Sequence, residues 1–236
     1  MRNKLAFLDY IVKDRSKIIE IINCPAKINI VKKSIAERYV KSLECDFLTI
    51  FDKNYPQKLK LLVNHPLVVY YIGNISLLDD ECITMLSDWY PTRYAYEVGK
   101  NIIVNNNVFI SESESKFGKF ITHNAHYFKK KLIVIYQDGF VKNDVHSEDL
   151  SLFISSPGTN SKAEQYDLQM INIVLSSKVV VVQSAVNSKI NKLVDLALLI
   201  DNQIYSVPAD LKQNEFEGNV RLICEGANVV EQDFKI

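Results

Sequence analysis

The stretch that decides the fold is KVVVVQSAVNSKINKLVDLALLIDNQIYSV, residues 178–207. It opens with an apolar, β-branched run at residues 178–182, which is typical of a strand covered on both faces of a sheet. Residues 190–200 follow with apolar side chains at helical spacing, and residues 203–207 form a second β-rich run before Pro208. This order predicts two parallel strands joined by a right-handed helical crossover.

Ligands of open parallel sheets bind beyond the carboxyl ends of the strands. The first strand of this unit runs into Gln183-Ser-Ala-Val-Asn187, which contains neither a charged residue nor a glycine. Phosphate-binding loops need glycines because their backbone N–H groups must approach the anion closely. The chain has seven glycines in 236 residues and no G-x-G-x-x-G motif, which argues against a conventional dinucleotide site.

Similar short apolar runs recur in front of this unit. They predict mostly parallel strands near residues 102–104, 108–111, 132–136, 152–155, 179–183 and 204–207. The expected fold class is α/β: a Rossmann-like, doubly wound, mostly parallel sheet. Residues 1–46 predict a small helical N-terminal unit, interrupted at Pro25 and with a second helix at residues 30–43, before a core of residues 47–236.

Composition narrows the class of protein further. Lys+Arg and Asp+Glu both number 28, and 47% of the residues are hydrophobic, so a large buried core and no net charge are expected. Basic residues are in excess before residue 131 and acidic residues after it, so a polyanion would prefer the first half. The four cysteines form no C-x-x-C pair, and no apolar run is long enough to span a bilayer. We therefore expect a cytoplasmic protein that does not enter a membrane.

A specific arrangement of prolines opens the predicted core. Tyr55-Pro56 and His65-Pro66 precede an apolar strand at residues 67–72, which ends in Gly73-Asn74. This order resembles the segment that opens the Rossmann-like core of the DNA-processing protein A (DprA/Smf) family.

Three further segments extend the resemblance. Residues 153–159 read FISSPGT, residues 218–223 read GNVRLI, and Gly226-Ala227 follows. Together with the first segment they resemble the DprA/Smf family over residues 46–232, as a divergent member. The resemblance implies a Rossmann-like core.

The match is degenerate where the family binds DNA. Ser87 matches the serine of a family Gly-Ser-Arg motif, but Leu86 and Asp88 replace the glycine and the arginine. Ser111 matches the serine of a Ser-Gly loop, but Glu112 replaces the glycine, and a family Arg-Asn-Arg motif is absent. Because acidic side chains repel phosphate, Asp88→Arg is predicted to strengthen binding of single-stranded DNA.

The densest basic run is Lys129-Lys-Lys131, interleaved upstream with aromatic residues. Grooves for single-stranded nucleic acid combine basic side chains with stacking aromatics. The candidate nucleic-acid-binding residues are Ser87, Arg93, Ser111, Lys116, Lys119, Lys129, Lys130 and Lys131. The alternative is an amphipathic helix with its aromatics in the core, which we favour for the aromatics, and its lysines in solvent.

The resemblance also implies a function. The family binds single-stranded DNA, assists loading of a RecA-type recombinase during transformation and recombination, and forms homodimers; apolar Phe216, Val220 and Leu222 are candidates for a dimer surface. It implies no cofactor, no catalytic residue and no enzymatic activity. His123 and His126 lie one helical turn apart without a third ligand, so no metal site is predicted. Two alternatives remain open: an interaction scaffold that has lost DNA affinity, and a nucleotide-binding enzyme on the same fold.

Overall fold

The computed structural model describes residues 1–137, 139–140, 149–155, 165–209 and 213–236, with the backbone alone at 165–167. The described residues form one nine-stranded sheet with α-helices on both faces. The strands are β1 Asp46–Thr49, β2 Val68–Gly73, β3 Ile83–Ser87, β4 Val108–Glu112, β5 Lys131–Tyr136, β6 Ser151–Ser155, β7 Lys178–Gln183, β8 Gln203–Ser206 and β9 Asn228–Val229. The helices are α1 Arg2–Val12, α2 Arg15–Ile22, α3 Pro25–Ile30, α4 Lys33–Lys41, α5 Arg93–Asn105, α6 Lys116–Tyr127, α7 Gln165–Leu175, α8 Ile190–Leu199 and α9 Glu217–Cys224. Residues 156–159 of the predicted FISSPGT motif lie outside the described residues.

The strand order is β1-β2-β6-β5-β4-β3-β7-β8-β9. All neighbours from β6 to β9 are parallel, whereas β1 pairs with β2, and β2 with β6, in antiparallel fashion. The predicted α/β class with a mostly parallel sheet is therefore confirmed. The strand–helix–strand unit predicted at residues 178–207 is also present, because β7 and β8 are adjacent, parallel and joined by α8.

The strand predicted at residues 102–104 is wrong. These residues lie in α5, where Ile102 and Ile103 are fully buried together with Ala95 and Val98. The spacing of three to four residues between these side chains is helical, and the β-branched run was too short to outweigh it. The predicted strands near 108–111, 132–136, 152–155, 179–183 and 204–207 are present as β4 to β8.

The N-terminal residues form four short helices rather than two. Lys13 breaks the first helix in a left-handed conformation, Asp14 then caps α2 by accepting from the Lys17 N–H, and Pro25 begins α3. Ile35, an apolar residue within the predicted second helix, is 45% exposed. The division of the chain at residue 46 stays a prediction.

The helices cover the two faces of the sheet in pairs. α5 and α6 pack on the face that carries Phe109, Val134 and Val180, whereas α7 and α8 pack on the face that carries Ile110 and Val181. Adjacent residues of β4 and of β7 thus face opposite ways, as the period of a strand requires. Covering on both faces explains the continuous apolar runs in the sequence.

Candidate nucleic-acid interface

The chain changes direction across the sheet between β3 and β7. From β3 it continues through α5 to β4, and from β7 it continues through α8 to β8, on opposite faces and sides. In sheets of this kind the two diverging loops form the usual ligand crevice. Here the loops are residues 88–92 after β3 and residues 184–189 after β7.

Asp88 joins these two loops. Its carboxylate accepts a hydrogen bond from the Ala185 N–H at 2.8 Å and a second one from the hydroxyl of Ser188. The Ser188 hydroxyl in turn accepts from the N–H of Ile190, the first residue of α8. The carboxylate thus lies where the backbone and helix dipole would otherwise favour a bound anion. Asp88→Arg would break these bonds as well as change the charge, so this substitution does not test phosphate repulsion alone.

The side-chain amides of Gln183 and Asn219 form hydrogen bonds with further backbone groups of the crevice. The Gln183 side chain accepts from the Thr92 N–H at 2.7 Å and donates to the carbonyl oxygen of Tyr90 at 3.1 Å. The buried Asn219 accepts from the Ser184 N–H at 2.7 Å. The backbone donors that a phosphate would need are therefore occupied by the protein itself.

Glu112 occupies the backbone N–H donors of the loop before α6, as Asp88 does in the crevice. This residue is 2% exposed, and its carboxylate accepts from the N–H groups of Glu114 and Ser115 at 2.6 and 2.9 Å. Gly118 packs so closely on this turn that a Cβ atom would lie 2.2 Å from the Glu112 carbonyl oxygen. Two acidic residues that the sequence marked as phosphate-repelling thus occupy the donors at the amino ends of α6 and α8.

The two predicted serines lie inside the molecule. Ser87 is 9% exposed, and Ser111 is buried with its hydroxyl donating to the carbonyl oxygen of Gly118 at 3.1 Å. DNA would reach these hydroxyls only if the surrounding loops moved.

The predicted basic residues do not line one groove. Lys116 begins α6 at the carboxyl edge of the sheet, and the run from Lys129 to Lys131 lies beyond the other end of that helix. Twelve helical residues separate the two groups by about 18 Å. Lys130 also donates to the Val104 carbonyl oxygen at 2.8 Å, and Lys131 forms an ion pair with Asp80 at 2.9 Å.

Among the other predicted cations, Arg93 forms an exposed ion pair with Glu97 on α5, with the closest atoms 2.7 Å apart. Lys119 is exposed on α6, one turn after Lys116, and His123 continues the same exposed face. The helix, KFGKFITHNAHY, contains no acidic residue. This face therefore presents positive charge without an acidic neighbour on its own helix.

The aromatic residues of α6, together with Phe128 directly after it, divide between core and surface. Phe117 is buried, Phe120 and Phe128 are partly buried, and only Tyr127 of the four is largely exposed, so the core interpretation holds for three of them. Sequence reasoning missed Trp89, which is 64% exposed. The sequence feature that could have revealed it is the aromatic pair Trp89-Tyr90 soon after β3, at the edge where ligands of such sheets bind.

Tyr90 completes this surface. It is 73% exposed, and the Lys116 ammonium group lies 5.3 Å from the centre of its ring. We call Trp89, Tyr90, Lys116, Lys119 and His123 the α6 surface. It combines two exposed aromatic rings with two lysines at the carboxyl edge of the sheet.

Other kinds of site find little support in the described part of the chain. No three His, Cys, Asp or Glu side chains are grouped there so as to hold a metal ion. The four cysteines are free thiols, and burial raises the pKa of Cys82 to about 12, which leaves it unreactive near neutral pH. None of the described helices has the length and apolar character that crossing a bilayer requires.

Comparison with known proteins supplies independent findings. The family model of DNA recombination-mediator protein A matches residues 46–111. No curated protein sequence matches the chain.

Two solved structures share the fold. DNA processing protein A (DprA) from Streptococcus pneumoniae is 17% identical with a TM-score of 0.70, and the match covers 98% of this chain and 89% of that one. DNA processing protein A from Helicobacter pylori, whose structure is described for its single-stranded DNA binding mode, is 20% identical with a TM-score of 0.63. That match covers 81% of this chain and 93% of the other.

The family match spans β1 to β4 and includes the Tyr55-Pro56 and His65-Pro66 motifs of the sequence resemblance. The structural matches extend the same fold over nearly the whole chain. Residues 46–111 thus match the model of the DNA recombination-mediator protein A family, and the chain shares the fold of two solved DNA processing protein A structures.

Proposed function

We propose that this protein is a DNA-processing protein that binds single-stranded DNA through the α6 surface. The observation that carries the proposal is the exposed pair Trp89-Tyr90 with the Lys116 ammonium 5.3 Å from the Tyr90 ring centre. Proteins that bind single strands stack bases on aromatic rings and follow the backbone with basic side chains. A relative with the same fold, from Helicobacter pylori, is described as binding single-stranded DNA.

The occupied crevice explains why we place the DNA on the outer surface. A phosphate between β3 and β7 would compete with the Asp88 carboxylate for the Ala185 N–H, and a phosphate before α6 would compete with Glu112. Each competition brings two negative charges together and breaks existing hydrogen bonds. Lys116 and Lys119, in contrast, extend into solvent and meet no such cost.

The finer parts of the function follow from the family resemblance. We propose that the bound strand is handed to a RecA-type recombinase in DNA uptake and recombination, that the protein is a cytoplasmic homodimer, and that it has no catalytic role. Of the three apolar residues that the sequence suggested for a dimer surface, Phe216 is fully buried beside Tyr94 and Leu222 is 9% exposed, whereas Val220 is partly exposed. Phe216 and Leu222 therefore belong to the core, and Val220 stays a candidate. Light scattering at micromolar concentration tests the dimer, and a monomer would contradict it.

Trp89 is the single tryptophan of the sequence, so its fluorescence reports directly on the proposed site. Titration with oligo-dT should quench this fluorescence, and added salt should reverse the effect because phosphate contacts release counterions. Tyr90→Ala should weaken binding about tenfold or more, since stacking one base contributes roughly 1–3 kcal/mol. As a control, Tyr10→Ala removes an exposed tyrosine of α1 and should leave the affinity unchanged.

The scaffold alternative draws on a specific observation, which is that carboxylates occupy the donors at α6 and α8. It predicts that oligo-dT changes neither the Trp89 fluorescence nor the mobility of the protein at any salt concentration. The nucleotide-binding enzyme has less support, because the same carboxylates occupy the donors that its phosphates would use.

A further inference from the structure

A small pocket opens where β3 and β4 separate. The two strands pair at Ile83–Phe109 and Thr84–Ile110, and within the described sheet they pair no further. Each strand nevertheless continues against its other neighbour, to Ser87 in β3 and to Glu112 in β4. The gap between their carboxyl ends is closed by α6 on one face and α7 on the other.

Two polar atoms in this pocket lack a hydrogen-bond partner among the described residues. They are the Ser87 hydroxyl oxygen and the Asn172 amide oxygen, in residues that are 9% and 3% exposed. Buried polar groups are normally paired, because an unpaired one has lost its hydrogen bonds to water without replacement. Two such atoms lining one pocket point to a small polar group bound there.

The other polar groups of the lining define the chemistry of that ligand. Glu112 brings a carboxylate, and the Ser111 hydroxyl, which donates to Gly118, keeps lone pairs available. The lining thus offers side-chain oxygens from Ser87, Ser111, Glu112 and Asn172, of which only the Glu112 carboxylate is acidic, and the side chains of Ser115 and Gln169 also line it. No basic side chain forms an ion pair with Glu112 in the described part of the chain.

We propose that this pocket binds one monovalent cation, sodium or potassium. Oxygen-only ligands suit hard cations, and the pocket has room for about one water-sized group. A single carboxylate matches a single positive charge, whereas a divalent ion would be left undercompensated beside the amino end of α6. The cation accounts for both unpartnered oxygens, and it does not depend on DNA binding.

Thermal unfolding in chloride salts of sodium, potassium and N-methylglucamine at one ionic strength tests the proposal. The melting temperature of the full chain should be higher in sodium or potassium by roughly 3–6 °C at about ten times the dissociation constant. N-methylglucamine is too large for the pocket and supplies the reference. Equal melting temperatures in the three salts would mean that the pocket holds water alone, which overturns the proposal.

Three variants separate the pocket from general salt effects. Glu112→Gln should abolish the difference between salts, because its amide group supplies donors in place of the cation. Ser87→Ala should lower the melting temperature in sodium or potassium but not in N-methylglucamine, since removal of an unpartnered hydroxyl by itself costs nothing. Ser176→Ala, at a fully buried serine that donates to the Ile173 carbonyl oxygen, should lower it equally in all salts. A cation effect that survives in both pocket variants overturns the proposal.

Discussion

Replacing Asp9 by asparagine should remove a loss of folding stability that develops as the pH rises. Asp9 lies on the inner side of α1, is 4% exposed, and packs among apolar side chains against β1 and β2. Burial raises the pKa of its carboxyl from 3.8 to about 7. The nearby Tyr70 hydroxyl offsets this in part, but that hydroxyl donates to the Ala6 carbonyl oxygen at 3.2 Å, and Asp9 Oδ2 has no partner among the described residues.

The sign of the effect follows from proton binding. Between pH values of about 4 and about 7 the folded protein keeps a proton on Asp9 that the unfolded chain has lost, so stability falls as the pH rises through this range. The rise of the pKa from 3.8 to about 7 corresponds to about 4 kcal/mol of stability. Above the folded pKa the loss is complete and levels off.

Urea unfolding monitored by circular dichroism, from about pH 4 to about pH 8, measures this difference. Asp9→Asn should match the parent protein at the acidic end and exceed its free energy of unfolding by up to about 4 kcal/mol at the basic end. Asp14→Asn is the control, because a hydrogen bond from the Lys17 backbone lowers the pKa of the exposed Asp14 carboxyl and no gain at high pH is expected there. A difference between Asp9→Asn and the parent that stays constant with pH would refute the reasoning.

Three further substitutions test the packing around the site. Asp88→Asn should lower the free energy of unfolding in urea by about 1–3 kcal/mol, because the neutral side chain keeps at most one of the two hydrogen bonds that the carboxylate accepts. An unchanged midpoint of urea unfolding would contradict the role of Asp88 in joining the two loops. Gly118→Ala should lower the free energy of unfolding by about 3 kcal/mol, because the new Cβ atom would lie 2.2 Å from the Glu112 carbonyl oxygen. Gly226→Ala should lower it by roughly 1–2 kcal/mol, because that position has open space but a φ of 105°. Equal losses in the two variants would argue against the close approach at Gly118. Phe216→Ala should cost about 3–5 kcal/mol without changing the mass found by light scattering, and a change of mass with little loss of stability would return this residue to the dimer surface.

The sheet could be predicted because its signals are local. The run at residues 178–182 and the helical spacing of residues 190–200 each lie within one element, and both elements formed as expected. Residues 102–104 show the limit of such signals. Three β-branched or apolar residues in a row fit a strand as well as one turn of a helix, and packing against the rest of α5 decided between them.

The candidate site was harder to predict from the sequence, because its contacts join distant parts of the chain. Asp88 and the Ala185 N–H that it binds are separated by 97 positions, so sequence reasoning found the charge but not its partner. Lys116 and Lys129 are close in sequence, yet a straight helix places them at opposite edges of the sheet. Trp89 and Tyr90 could be recognised as stacking residues only once their exposure was known.

The most direct test of the central claim compares two charge-matched variants in binding to oligo-dT. Lys116→Ala with Lys119→Ala removes two positive charges from the α6 surface, and Lys129→Ala with Lys130→Ala removes two from the other end of the helix. Fluorescence anisotropy over a range of salt concentrations gives the slope of log affinity against log salt for each. The first variant should reduce the magnitude of that slope by about 1.4, since each phosphate contact with a single strand contributes about 0.7, and the second should leave it unchanged. A loss confined to the second variant, or no loss in either, would contradict binding through the α6 surface.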